Sequence, residues 1–240
     1  MSHPRRWRRT LLRYHVWLGW LIGVPLLLWT VSGLVMVARP NDIVRGTDLR
    51  AELPPLPATT VYPPTIRSAA DSLTLKQTAL GPRWIVALGD DRYAADPRDG
   101  RRLPALDQAQ AIAAALDYRK SPPRVASARQ TDAAHPPPDL RQPRPAWSVD
   151  FTDGARFYVD ADTGELLAVR TEFWRFYDFM WGLHIMDLQG RRDTHNPWVV
   201  TFALLALVMT LMALVLLPLA TRKGSRINPR AGATKTRLHD

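Results

Sequence analysis

Three histidines stand beside the most apolar stretches of this 240-residue chain: His15 before the first, His184 within an aromatic segment, and His195 just before the second. Imidazole can relay a proton near neutral pH, ligate a metal, or bind haem iron axially. An ionisable side chain beside a membrane-like sequence is a functional candidate in its own right. Other chemistries lack their residues. There is no Cys, which excludes thiolate metal sites, disulfides and Cys nucleophiles. No Ser/His/Asp arrangement, Gly-rich phosphate loop or H-E-x-x-H motif occurs. His3 and His239 lie in basic tails and His135 in a Pro-rich loop, so they are set aside.

The elements that must position these histidines begin with two uncharged runs, residues 16–38 and 197–220. Each would be about 35 Å long as a helix, enough to cross a hydrocarbon core of about 30 Å. The first run is longer than a cleaved leader needs and exits without an A-x-A-like site, which predicts a retained anchor. Arg5, Arg6, Arg8, Arg9 and Arg13 precede the first run, and Arg222, Lys223 and Arg226 follow the second. Basic residues near span ends stay in the cytoplasm, so both termini are expected inside and the centre outside. Gly19 and Gly23 form a G-x-x-x-G step on which the second span, or the same helix of another copy, could pack. Tyr14, Trp17, Trp20 and Trp198 sit where rings favour the membrane interface.

The net charge of +10 would raise nucleic acid as a partner, but its distribution argues against one. Residues 39–196 hold 21 basic and 21 acidic side chains, and the whole excess lies in the two tails. The predicted partners are the lipid bilayer and other helices, with no nucleic acid.

Between the spans, a Pro-rich stretch over 39–57 reads as an extended spacer, and residues 136–145 as a long loop. The rest reads as a degenerate repeat. Residues 83–88 alternate like a strand, turn at 89–91, return over 92–95 and turn again at 96–100. About 64 positions later the pattern recurs, with Trp84 answering to Trp147, Arg92 to Arg156, Asp96 to Asp160 and Gly100 to Gly164. A helix is predicted before each set, over 65–73 and over 106–118, the second with Ala109, Ile112, Ala113 and Leu116 on one face. The fold class is therefore two transmembrane helices flanking an α+β domain of helix plus antiparallel strands, duplicated. Asp162 and Glu165 read as turn chemistry around Gly164 rather than as a catalytic pair.

Residues 172–195 are unusually aromatic and read as a helix at the outer leaflet, with Pro197 opening the second span. His15 lies roughly 30 Å from the outer face along its helix. His184 and His195 are eleven positions apart and could share an iron at that face, or each could pair with a histidine of another subunit.

The first span with His15 and Ser32-Gly33, the strand–turn–strand around Asp160-Ala161-Asp162-Thr163-Gly164-Glu165, and Leu183-His184 followed by Gly190-Arg191 together resemble the PepSY-associated transmembrane (PepSY-TM) family in a short two-span form. The resemblance implies an inner-membrane, two-pass protein with a periplasmic domain. Its segments would be a basic tail (1–14), first helix (15–38), linker (39–57), PepSY-like domain (58–171), aromatic interfacial segment (172–195), second helix (196–220) and basic tail (221–240). Two functional classes follow. Larger four-span relatives imply haem b, electron transfer and ferric-siderophore reduction in iron uptake, with His184, His195 and His15 as ligands. This chain has half their spans and no second histidine at the inner end of its second helix. Isolated PepSY domains imply instead an anchored binding module that restrains a peptidase or serves a membrane complex.

Overall fold

The structure, a computed structural model, describes residues 3–221. The basic tail from Arg222 onward lies outside them, and with it the residues that orient the second span in the sequence reading. The chain divides into two compact units, one formed by the N-terminal 36 residues together with the chain from Phe179 onward, the other by Val37–Asp178.

The first unit contains α1 (His3–Val37) and α5 (Pro197–Thr221). Both are long and apolar enough to cross a membrane. Only 11% of the apolar window of α1 is buried and none of that of α5. A core helix of a soluble domain would hide this surface; left bare, it calls for hydrocarbon or another helix. The two helices meet at Gly19, where a Cβ would stand 4.0 Å from the Met209 sulfur, whereas a Cβ at Gly23 would meet nothing within 4 Å among the described residues. Half of the G-x-x-x-G step is therefore used. Pro197 opens α5 as expected, and Asn196 caps it, its Oδ1 accepting from the backbone N–H groups of Trp198 and Val199 at 3.1 Å.

The second unit is α+β. A short helix α2 (Asn41–Val44) and a 3-10 turn (Thr47–Leu49) lead into β1 (Ser72–Thr78), β2 (Gly81–Leu88) and β3 (Asp91–Ala95), an antiparallel sheet in that order. Then come α3 (Gln108–Asp117) and a second antiparallel sheet of β4 (Val125–Thr131), β5 (Ala146–Phe151), β6 (Arg156–Asp160) and β7 (Leu166–Arg170). Helix α4 (Glu172–His184) follows, and the division between the units falls inside it, after Asp178.

The repeat is visible in the registers. Trp84 pairs with Ala95 as Trp147 pairs with Val159, and Ala87 with Arg92 as Asp150 with Arg156. The bridge between Ala95 and Arg102 answers to the β6–β7 pair of Val159 and Leu166. The turns match as well. Gly100 N–H donates to the Asp96 carbonyl at 2.8 Å and Gly164 N–H to that of Asp160 at 2.9 Å, both glycines at positive φ.

The repeat covers the strands and not the helix. Residues 65–71 form an extended strap instead of the predicted helix over 65–73, and Leu73 is already in β1. Nine residues gain little from helix formation alone, and the strap is fastened along the first sheet. Tyr62 N–H donates to Pro97 O at 2.8 Å, Trp84 Nε1 to Tyr62 O at 2.9 Å, and Asp71 N–H to Ala87 O at 2.9 Å.

Helix α3 begins with a capping box, Asp107 accepting from Gln110 N–H while the Gln110 side chain accepts from Asp107 N–H. It buries Ala111, Ala114 and Ala115, with Tyr118 beyond them; of the predicted face, Ala109 and Ala113 are exposed. The small side chains of Ala111, Ala114 and Ala115 let the helix sit close to Val149, Phe157, Val159 and Val169, and Leu116 of the predicted face packs on the same core. On the opposite side of the sheet, Leu140 of the Pro-rich loop packs on Ala146, Tyr158 and Ala168. The segment read as a free spacer also belongs to this unit: Ala51 N–H donates to Tyr118 O, Lys120 N–H to Leu49 O, and Leu49 and Leu53 pack on the α3 core.

Candidate functional site

Of the three histidines, His184 is the most closely held. It ends α4, and its ring stacks on Trp29 of α1 with centroids 4.7 Å apart and planes 18° from parallel. Its Nδ1 lies 3.1 Å from both Ser32 Oγ and the Trp29 carbonyl oxygen, and Ser32 Oγ itself donates to that carbonyl at 2.9 Å. A carbonyl oxygen can only accept, so a hydrogen bond from His184 to it is made by the tautomer protonated at Nδ1, the one that leaves the lone pair on Nε2. Gly33 makes room for this: a Cβ there would stand 3.2 Å from His184 Cε1. The Ser32-Gly33 pair is thus a notch for the imidazole.

Past His184 the chain turns sharply, with Met186 and Arg191 at positive φ. Asp187 gathers the turn by accepting from the N–H groups of Gly190, Arg192 and Asp193 at 2.9–3.2 Å. Asn196 closes it, its Nδ2 donating to Ile185 O and Asp193 O at 2.8 Å. His195 is exposed, its Nδ1 3.1 Å from Thr194 Oγ1. His15 has a buried Nδ1 with no hydrogen-bond partner among the described residues. No hydrogen bond or ring stack joins any two of the three histidines there.

For haem, the donor set fits in part. His184 has its ring oriented by a backbone carbonyl and its Nε2 lone pair left over, the usual arrangement of a ligating imidazole. His195 and His15 are not held in that way.

A second cluster lies in the α+β unit, around the turn that joins β6 to β7. Asp160 Oδ1 accepts from the N–H groups of Asp162 and Thr163 at 3.0 and 2.9 Å, and Gly164 supplies the positive φ. The turn chemistry expected around Gly164 is therefore carried by Asp160, and not by Asp162 or Glu165. Glu165 leaves this turn to reach the first sheet, pairing with Lys76 of β1 at 2.9 Å and Arg92 of β3 at 2.5 Å. Burial pushes its carboxyl up, but the hydrogen bonds from Arg92 and Lys76 outweigh that and leave it below the usual range. Tyr118 OH donates to Gly164 O at 2.9 Å, and burial raises its phenol.

Arg50, Lys76, Gln77, Tyr118 and Glu165 line one pocket of about 260 Å³, with Leu53 and Leu166 as apolar wall. Arg50 has no acidic partner among the described residues; burial, and secondly the like charge of Arg45, lower its guanidinium. Sequence reasoning missed this pocket. Arg50 and Gln77 are unremarkable residues 27 positions apart, and only the chain fold brings them together.

These features define a small antiparallel α+β domain carried between two candidate membrane helices, with a cationic pocket on the domain. Residues 105–170, which span α3 to β7, match the family described as Peptidase propeptide and YPEB domain, PepSY. The chain thus contains a PepSY domain flanked by two apolar helices, an arrangement consistent with a PepSY-TM protein. Neither a curated protein nor a solved structure matches the chain.

Proposed function

We propose that the chain is an inner-membrane protein, with both termini in the cytoplasm, that holds its PepSY domain in the periplasm as a binding module for a protein partner such as a peptidase. The observation that carries this reading is the PepSY match over the α3–β7 unit, a family whose description names peptidase propeptides. The supporting chemistry is that of a binder: Asp160 is absorbed in turn geometry and Glu165 in ion pairs, while a polar pocket and the polar edge strand β1 face solvent. The arginine-rich start of α1 favours this orientation. Photo-cross-linkers placed at Leu73 and Thr74 in the full-length protein, in its own membrane, test it. Discrete adducts with a periplasmic peptidase or membrane-complex subunit are expected; adducts with lipid or with itself only would overturn the module.

A second reading, a haem protein with His184 as an axial ligand and His195 or His15 as further candidates, is favoured by the single tautomer its Nδ1 contacts require. Haem b would supply one-electron chemistry, and the protein's part would be to orient the imidazole from Trp29 and Ser32. The visible spectrum of the purified protein checks it: a Soret band lost in His184→Ala is expected, and a colourless folded protein would rule it out.

A further inference from the structure

Building on the binding-module reading, we infer that the pocket bounded by Arg50, Gln77 and Leu166 is a subsite for the C-terminal residue of a peptide, taking its free carboxylate, its amide N–H and an apolar side chain. Three observations lead to this ligand.

The first is charge. Within the pocket Glu165 is already matched by Lys76 and Arg92, so the cation left over is Arg50. Its Nε is buried and bonded to nothing among the described residues, and beside burial the like charge of Arg45 disfavours its charged form. A half-buried guanidinium beside a like charge is an unsatisfied anion site, and a carboxylate satisfies it in the bidentate geometry that Arg favours.

The second is an unpaired acceptor in the same pocket. The Gln77 amide is oriented by Nε2 donating to Thr78 O at 3.4 Å, which leaves Oε1 buried with no donor. A buried acceptor without a partner costs free energy until a donor arrives. Free phosphate has acceptors for Arg50 and, as hydrogen phosphate, one hydroxyl to give Gln77, but nothing apolar to lay against Leu53 and Leu166. A peptide's last residue has all three, its carboxylate one carbon away from its own N–H.

The third is size and lining. About 260 Å³ suits one residue or two, and Leu53 with Leu166 offers an apolar wall against which a side chain such as Leu or Val can lie. Tyr118 is already committed to Gly164 O, so it shapes the floor without competing for the ligand.

The test uses full-length protein in nanodiscs and an N-terminally fluorescein-labelled pentapeptide, Gly-Ala-Gly-Ala-Leu, as free acid and as C-terminal amide, read by anisotropy. The acid is expected to bind at least about tenfold more tightly than the amide, which loses the charge-assisted bond. Arg50→Gln should abolish that preference without changing the melting temperature, since its side chain has no partner to lose, and Gln77→Leu should weaken both peptides. Equal binding of acid and amide, no binding of either, or displacement of the acid by an equal concentration of inorganic phosphate would overturn the assignment. Cross-linking to a partner combined with failure of the peptide would remove the pocket and leave the module. Peptide binding without a cross-linked partner would do the reverse.

Discussion

The imidazole of His184 lies flat on the indole of Trp29, and the same tryptophan's carbonyl oxygen accepts from its Nδ1 at 3.1 Å. One residue of α1 therefore holds the end of α4 twice, through its ring and through its main chain. The Ser32 hydroxyl donates to the same carbonyl oxygen at 2.9 Å.

Replacing Gly33 by Val puts a branched side chain where even a Cβ stands 3.2 Å from the His184 ring. The ring must leave the Trp29 stack, and a loss of about 1–3 kcal/mol is expected. Ser32→Ala removes one of two acceptors for Nδ1 and should cost less, about 0.5–1.5 kcal/mol. Thermal melting in one detergent ranks the two, and equal losses would contradict the notch.

Glu165→Gln unties Lys76 and Arg92 from the turn and is expected to destabilise the α+β unit by about 1–3 kcal/mol at neutral pH. The pH dependence has a definite sign. The folded carboxyl is held below its ordinary value of 4.5, so its stabilisation is complete above that value and disappears as pH falls through the folded one. The gap in melting temperature between native protein and variant should therefore be widest near neutral pH and close as the pH falls below the ordinary carboxyl value. A gap that widens on acidification would contradict it.

Gly100 and Gly164 occupy equivalent turns at φ +72 and +75, yet their surroundings differ. A Cβ at Gly100 would stand 2.8 Å from the Pro63 carbonyl oxygen, which is backbone, whereas at Gly164 the nearest atom, at 3.3 Å, ends the Arg83 side chain. Both alanine variants should lose about 1–2 kcal/mol to backbone strain, with Gly100→Ala the worse of the two. Denaturant midpoints of the paired variants check the order.

Asn196→Ala removes both the cap of α5 and the clasp on Ile185 O and Asp193 O. The expected loss is about 1–2 kcal/mol. Asn196→Asp keeps the accepting oxygen for the cap but not the donor, and should fall between native protein and Ala. An Asp variant no better than Ala would show that the cap contributes nothing.

Periodicity and charge along the chain were enough to determine the two apolar helices, the hairpins of β2–β3 and β5–β6, the turn at Gly164 and the start of α5 at Pro197. In each of these the governing interaction is local: an unbroken apolar run, an alternation of period two, a glycine at positive φ, a proline that cannot donate. The equivalence of Trp84 with Trp147 was likewise legible, because a repeated turn repeats its Asp and Gly.

What the sequence left open was decided over distance. β1 and β4 are polar, largely exposed strands with little alternation to read, and they exist because β2 and β5 offer them hydrogen bonds. The strap at 65–71 is tied to the first sheet at both ends, through Tyr62 before it and Asp71 at its close. The buried face of α3 is the one that lets a sheet come close, and an alanine-rich helix carries no pattern strong enough to announce it. The pocket at Arg50 and Gln77 has no signature at all. It arises where a segment before the first sheet, the end of α3 and the β6–β7 turn converge, and that convergence is a property of the packed chain alone.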